Sequence, residues 1–246
     1  MFALALMAAA GVAGTVERSF PVSAFHAVDL AAKATVEVTA APTRSVLASG
    51  DPAVLRCLDV TVQNGVLTID WHGKARPVAS SSSSSTGQDI IIEARLGCRK
   101  PGGAHPLTVH VAAPTIDGVR ISGHGSISVA PLRSAQFSAA IPGGGSIMLN
   151  GIDVAKADLS IDGDGHIVAT GRLGQLHADL AGSGSIDTTG AVATASQVYL
   201  GGHGSIAERV DGMASGTLAG SGSILVKGSP ACAVRKAGSG RITCPA

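Results

Sequence analysis

The residues best suited to chemistry gather in one short stretch, Asp162-Gly163-Asp164-Gly165-His166. Two carboxylates and an imidazole this close together could hold a cation weakly, or serve as an acid/base pair. A solvated polar turn explains the same residues more simply and is the preferred reading. Widening the search adds Asp158, Asp179 and Arg172, the nearest approach to the acidic cluster with a basic partner that a polysaccharide lyase needs. Serine is abundant, but it follows the second glycine of a recurring G-x-G-S pattern, which is not the G-x-S-x-G elbow of a hydrolase. The G-x-G pairs are no dinucleotide fingerprint either, since no helix follows them. Calcium-binding repeats of the G-G-x-G-x-D type have a nonapeptide period and an Asp in each copy, and this chain has neither. His124 and His203 occupy equivalent positions four repeats apart, about 19 Å at the spacing of stacked strands, so they cannot share a metal. No cysteine pair has C-x-x-C spacing and no His lies at zinc-finger distance. The expectation is a non-enzymatic protein with no catalytic residue, no cofactor and no metal site.

The elements that would position such groups are written in a repeat. The motif G-x-G-S-I occurs as GHGSI at 123–127, GGGSI at 143–147, GDGHI at 163–167, GSGSI at 182–186, GHGSI at 202–206, GSGSI at 220–224 and GSGRI at 238–242, at intervals of 20, 20, 19, 20, 18 and 18 residues. Its paired glycines never vary: Gly123 and Gly125, Gly143 and Gly145, Gly163 and Gly165, Gly182 and Gly184, Gly202 and Gly204, Gly220 and Gly222, Gly238 and Gly240. A backbone that needs φ > 0 or very close approach demands that constancy. The last position is always Ile, as Ile127, Ile147, Ile167, Ile186, Ile206, Ile224 and Ile242. Two residues before the first glycine stands Ile121, Ile141, Ile161, Leu180, Leu200 or Leu218, until Lys236 breaks that column as a capping repeat would.

Alternation such as Val119-x-Ile121 and Ile127-x-Val129 has the period of strands. Each unit therefore reads as strand, tight glycine turn, strand. A unit of 18–20 residues is too short for a helix-pair repeat but fits one coil of a β-solenoid, which buries its Ile between neighbouring coils. The predicted fold is all-β, a parallel β-helix. Stacked about 4.8 Å apart, seven coils would be roughly 34 Å long. Crossover chirality favours a right-handed coil, with a left-handed one as the alternative because 18 residues also make three hexapeptides. The Ile column forms an inner ladder; Ser126, Ser146, Ser185, Ser205 and Ser223, with His166 and Arg241 in place of Ser, form an outer one.

The first half lacks the motif but also reads as strands: Ala34–Thr39, Asp59–Gln63, Val66–Trp71, Asp89–Ala94 and Leu107–Val111. Asn64-Gly65 is the strongest hairpin signal in the chain. The serine run between Ala79 and Gly87 reads as a surface loop. The opening MFALALMAAAGVAG is an uncharged apolar run with a small-residue cleavage site at Ala8–Ala10, so residues 1–14 read as a signal peptide. A buried strand or helix is the alternative for that run. Residues 15–246 then form one domain, with irregular first coils over 15–118 and seven regular coils over 119–246.

Four cysteines suit an exported, disulfide-bonded chain. Three connectivities exist; a Cys232/Cys244 bridge would hold the C-terminal end and leave Cys57 with Cys98, and free buried thiols are the alternative. Glycine contributes 33 of 246 residues, about twice the usual share of about 7%, and Phe, Trp and Tyr together only six. A narrow β-helix filled by Ile, Val, Leu and Ala has that composition. With a formal charge of +1 and no basic cluster, the chain lacks the electrostatic footprint of a nucleic-acid or anionic-membrane binder. No stretch reads as a membrane-spanning helix.

The pattern F-x-x-V, V-x-V, V-x-x-x-G-D and V-x-N-G-x-L-x-I appears as Phe25–Val28, Val36–Val38, Val46–Asp51 and Val62–Ile69. Together with the G-S-G-S-I series it resembles the DUF2807 family, the auto-transporter adhesin head GIN domain, from about residue 18 to the end. The resemblance implies an exported β-helix with its glycine motifs at tight turns between sheets, a role in cell adhesion, and no catalytic residues. GDGHI and GSGRI depart from the pattern and bear only on the evenness of the outer ladder.

The function expected is an exported structural or adhesion module of the bacterial cell envelope or surface, in the periplasm or outside the cell. Its partner would be an envelope or surface ligand, polysaccharide or protein. A polysaccharide-binding or polysaccharide-degrading β-helix is the alternative, and an envelope scaffold a third reading. Trp71 and Tyr199 are the ring candidates for a sugar platform besides Phe, with ordinary packing preferred for both.

Overall fold

A computed structural model describes residues 16–71, 107–228 and 231–245. The segments read as a signal peptide, the serine loop and strand Asp89–Ala94 lie outside these residues, as does Cys98. The N-terminal part contains β1 (Val16–Ser19), β2 (Ala27–Leu30), β3 (Thr35–Ala40), β4 (Ser45–Gly50), one helical turn α1 (Pro52–Leu55), β5 (Leu58–Gln63), β6 (Val66–Trp71) and β7 (Thr108–Ala113). The repeat region follows as β8 (Gly118–Ile121), β9 (Ser126–Val129), β10 (Arg133–Ile141), β11 (Ser146–Gly163), β12 (His166–Gly182), β13 (Ser185–Gly202), β14 (Ser205–Leu218), β15 (Ser223–Gly228), β16 (Ala231–Lys236) and β17 (Arg241–Thr243).

The repeat region is a β-solenoid whose parallel bridges join residues about 20 apart. Its register follows the motif. Ile127, Ile147, Ile167, Ile186, Ile206, Ile224 and Ile242 pair successively, and the first six are each at most 1% exposed. Ile141, Ile161, Leu180, Leu200 and Leu218 form a second inner column on the strand that precedes each glycine turn. The period-two pattern sends alternate residues inward, so both columns meet in one continuous core. β11, β12 and β13 each run through 17 or 18 residues and bend at register shifts such as Leu149/Ile152 rather than stopping.

The first coils are not stacked in chain order. β2 lies between β6 and β8, and β3 between β7 and β9, all parallel. The coil built from β6 and β7 thus sits outside the coil that precedes it in sequence. Antiparallel strands close this end: β5 on β6 on one side, then β4 on β7 and β1 on β4 on the other. Such strands cover hydrogen-bonding edges that a bare solenoid would leave open. The β5–β6 hairpin turns at Asn64 (φ 52°) and Gly65 (φ 77°), the left-handed pair of a type I′ turn.

At the other end β16 continues β14 and β17 continues β15. A disulfide joins Cys232 to Cys244 across this last coil. Cys232 extends the inward column Ala157–Leu176–Ser196–Ala214, and Cys244 packs against the core. The bridge therefore covers core that no further coil buries. Cys57 is also disulfide-bonded.

Candidate functional site

The glycine turns shape a groove on the surface. Between Leu180, Leu200 or Leu218 and the following Ser, the backbones of successive coils lie against each other. Ser183 and Gly184 donate their N–H groups to Gly163 O at 3.0 Å, His203 donates to Gly182 O at 2.9 Å, and Ser205 to Gly184 O at 3.1 Å. A Cβ on Gly184 would collide with the carbonyl oxygen of Gly165, so only glycine permits this stacking. With no side chains at these positions, the corner is recessed into a trough of about 880 Å³.

The trough crosses the coils from His166 to Arg241, about 19 Å at ordinary strand spacing. It is lined by serines from both edges of the turn, by His166 and His203, and at the C-terminal end by Lys236 and Arg241. Among the described residues no carboxylate lines it. His166 Nδ1 is hydrogen-bonded to Ser185 Oγ at 2.8 Å. The hydroxyls of Ser205, Ser221, Ser223 and Ser239 make no hydrogen bond among the described residues. The arrangement presents hydroxyl donors and acceptors at the repeat of the fold, with positive charge at one end.

The acid/base candidates are not assembled into a reaction centre. Asp162, Asp164 and His166 are all exposed, and His166 turns to Ser185 rather than to a carboxylate. Asp158 lies 3.4 Å from Lys156 Nζ on an exposed strand face. Asp179 stands in register with Ser160 and Tyr199. Arg172 belongs to a different corner, in register with Asp153 and Val192. There it shares a second groove of about 840 Å³ with Arg133, whose Nε is 3.3 Å from Asp153 Oδ2. His124 donates from Nδ1 to the neighbouring Gly123 carbonyl at 2.8 Å. Among the described residues no group of three His, Cys, Asp or Glu is placed to hold a metal.

One ionisable residue lies inside the core, outside the glycine motif. Glu208 is fully buried, in register with Thr188 and Val226 on the inner face. Ser196 donates its hydroxyl to Glu208 Oε1 at 2.9 Å, while Oε2 has no partner among the described residues. Burial lifts this carboxyl from 4.5 to about 7, offset in part by the Ser196 hydrogen bond. The signal was available: Val129, Leu149, Ala169 and Thr188 hold the same inward position two residues past the motif Ile. A Glu in that column falls inside.

The two rings diverge. Trp71 is half-buried and packs against the core. Tyr199 does not pack away as expected; it is 43% exposed. Its position alternates with inward Val198 and Leu200, and its ring lies against Gly201, where a Cβ would meet Cε1 at 3.2 Å.

Fold and site together define a disulfide-bonded β-solenoid with a polar trough along its glycine corner and no assembled catalytic group among the described residues. The chain belongs to the DUF2807 family, described as "Putative auto-transporter adhesin, head GIN domain", whose pattern matches residues 24–230. Its fold is that of a putative adhesin from Bacteroides fragilis, at TM-score 0.75 and 17% identity over 94% of this chain and 96% of that one. A putative lipid binding protein from Parabacteroides distasonis superposes at TM-score 0.67 and 16% identity over 94% and 97%. A putative adhesin from Parabacteroides merdae does so at 0.60 and 14% over 94% and 96%. At such identities these likenesses speak to the fold alone. No curated protein matches the chain.

Proposed function

We propose that this protein is an exported, non-enzymatic adhesion module of the cell envelope, with residues 15–246 acting as one unit. Family membership supports an adhesive role. The Cys232–Cys244 disulfide suits an oxidising compartment outside the cytoplasm. No helix among the described residues is long and apolar enough to cross a membrane.

The observation that carries the reading is the trough: a regular, polar, recessed strip across several coils, with no carboxylate in its lining among the described residues. Solenoids use such extended surfaces to hold extended ligands. The placement of Arg172 and the Asp162/Asp164 pair at different corners of the coil favours this reading over the alternative of polysaccharide cleavage.

Protease shaving of intact cells, with detection before and after lysis, tests the location. Beads coated with the purified chain test adhesion to cells. Loss of the protein from intact cells together with bead attachment supports the adhesin. Protection until lysis, or beads that never attach, would count against it and in favour of an envelope scaffold.

A further inference from the structure

We propose that the trough binds a linear acidic polysaccharide, whose carboxylate or sulfate groups pair with Lys236 and Arg241 while its hydroxyls bond the serine ladder. The inference rests on the adhesion reading above and names its ligand.

The charge argument comes first. Lys236 and Arg241 both line the trough, and neither has a carboxylate partner among the described residues. Arg133 and Lys156 have carboxylate partners in Asp153 and Asp158, while Arg120 and Lys227 have none among the described residues; what sets Lys236 and Arg241 apart is that both line one groove. Among the described residues no carboxylate is in the lining; Asp164 holds the turn position one coil before Ser183, beside the His166 end, so an anion is drawn to the opposite end, at Lys236 and Arg241.

The hydrogen-bonding argument selects the polymer. The hydroxyls of Ser205 and Ser223 stand one coil apart and Ser221 lies on the facing edge; none is occupied among the described residues. A ladder of groups that both donate and accept suits a chain bearing hydroxyls along its length. A peptide is a poorer match, because the corner amides of Gly184, Ser205, Ser223 and Arg241 are already committed to carbonyls of the preceding coil. They cannot add main-chain bonds to a peptide strand. Nucleic acid is a poorer match as well, since among the described residues no aromatic side chain lines the trough for base stacking.

Calorimetric titration of the mature chain with polygalacturonate, dextran sulfate, neutral dextran and poly-glutamate tests this, against a Lys236→Ala/Arg241→Ala double variant. Both substitutions are on exposed side chains, and an unchanged melting curve checks that the fold is intact. The expected result is binding to polygalacturonate or dextran sulfate, weakened at least tenfold in the double variant. Binding to neutral dextran and to poly-glutamate should be at least tenfold weaker than to the better polyanion. A second variant, Ser205→Asp/Ser223→Asp, should abolish binding by placing like charge in the ladder.

Failure of both acidic polysaccharides overturns the proposal, as does binding that the double variant leaves intact. Equal affinity for poly-glutamate also overturns it, since charge alone would then suffice. Beads that attach to cells without either polymer binding would sink this inference and leave the adhesion reading standing. Polymer binding without attachment to cells would do the reverse.

Discussion

Glu208 is the residue with the clearest energetic consequence, because its carboxyl has one hydrogen bond where an ion needs several. In the unfolded chain it loses its proton near the ordinary value of 4.5, whereas the folded protein retains it up to about 7. Below the lower value both states are protonated and the contribution to stability is complete. As pH rises between the two values, only the unfolded state sheds its proton, so stability falls; above the folded value the loss levels off at about 3 kcal/mol. Glu208→Gln cannot ionise. Urea midpoints at pH 5 and pH 8 should therefore separate more for the natural chain than for the variant. Equal separations would mean that the buried carboxyl is not the titrating group. Its charged neighbours Arg209 and Asp211 give Glu208 the local look of an exposed residue. Only the phase of the alternation, carried from Ile206, reveals that it faces inward.

At the scale of the element, the glycine turn looks uniform in sequence and is not uniform in space. Gly182 has φ of +139°, and a Cβ there would strike the carbonyl of Gly163; at Gly143 the space within 4 Å is empty and φ is not positive. Both are first glycines of the motif. Gly182→Ala should cost at least about 2 kcal/mol through backbone strain and separation of the coils. Gly143→Ala should stay within about 0.5 kcal/mol of the parent. Chemical denaturation of the two variants side by side decides the matter, and similar losses would refute the distinction. Ile186, at 1% exposure in the middle of the ladder, provides a reference for packing: Ile186→Ala should cost about 2–5 kcal/mol.

The strands, hairpin and coil period were legible because each depends on local alternation or on a turn signal such as Asn64-Gly65. The order of the first coils was not. Placing β2 between β6 and β8 depends on edges meeting across a long stretch of chain, and no local pattern encodes that. The trough lay between these extremes. Its serines were visible as a ladder, but its depth comes from what the glycines lack, and the approach of Lys236 to Arg241 comes from the packing of the last coil.

For the molecule as a whole, a solenoid is held together by nearest-neighbour contacts, so its stability is distributed along one dimension and its ends are its weakest points. This chain protects its two ends differently. β1, β4 and β5 wrap the N-terminal end by antiparallel pairing, whereas the C-terminal end relies on short β17 and on the disulfide that spans Cys232 and Cys244. β16 and β17 expose nearly every residue, so little apolar burial holds them in place. Closing a loop of this size contributes about 2–4 kcal/mol. Cys232→Ser/Cys244→Ser should therefore release the last coil while leaving the middle of the stack intact. Amide exchange should rise over 231–245 and, more weakly, over the adjoining β14 and β15. Protection in β11, β12 and β13 should remain near that of the parent. Uniform loss of protection along the chain would show instead that the solenoid unfolds as one cooperative unit. Because Lys236 and Arg241 are carried by the released coil, the same variant should also lose the charged end of the trough, which ties the integrity of the cap to ligand binding.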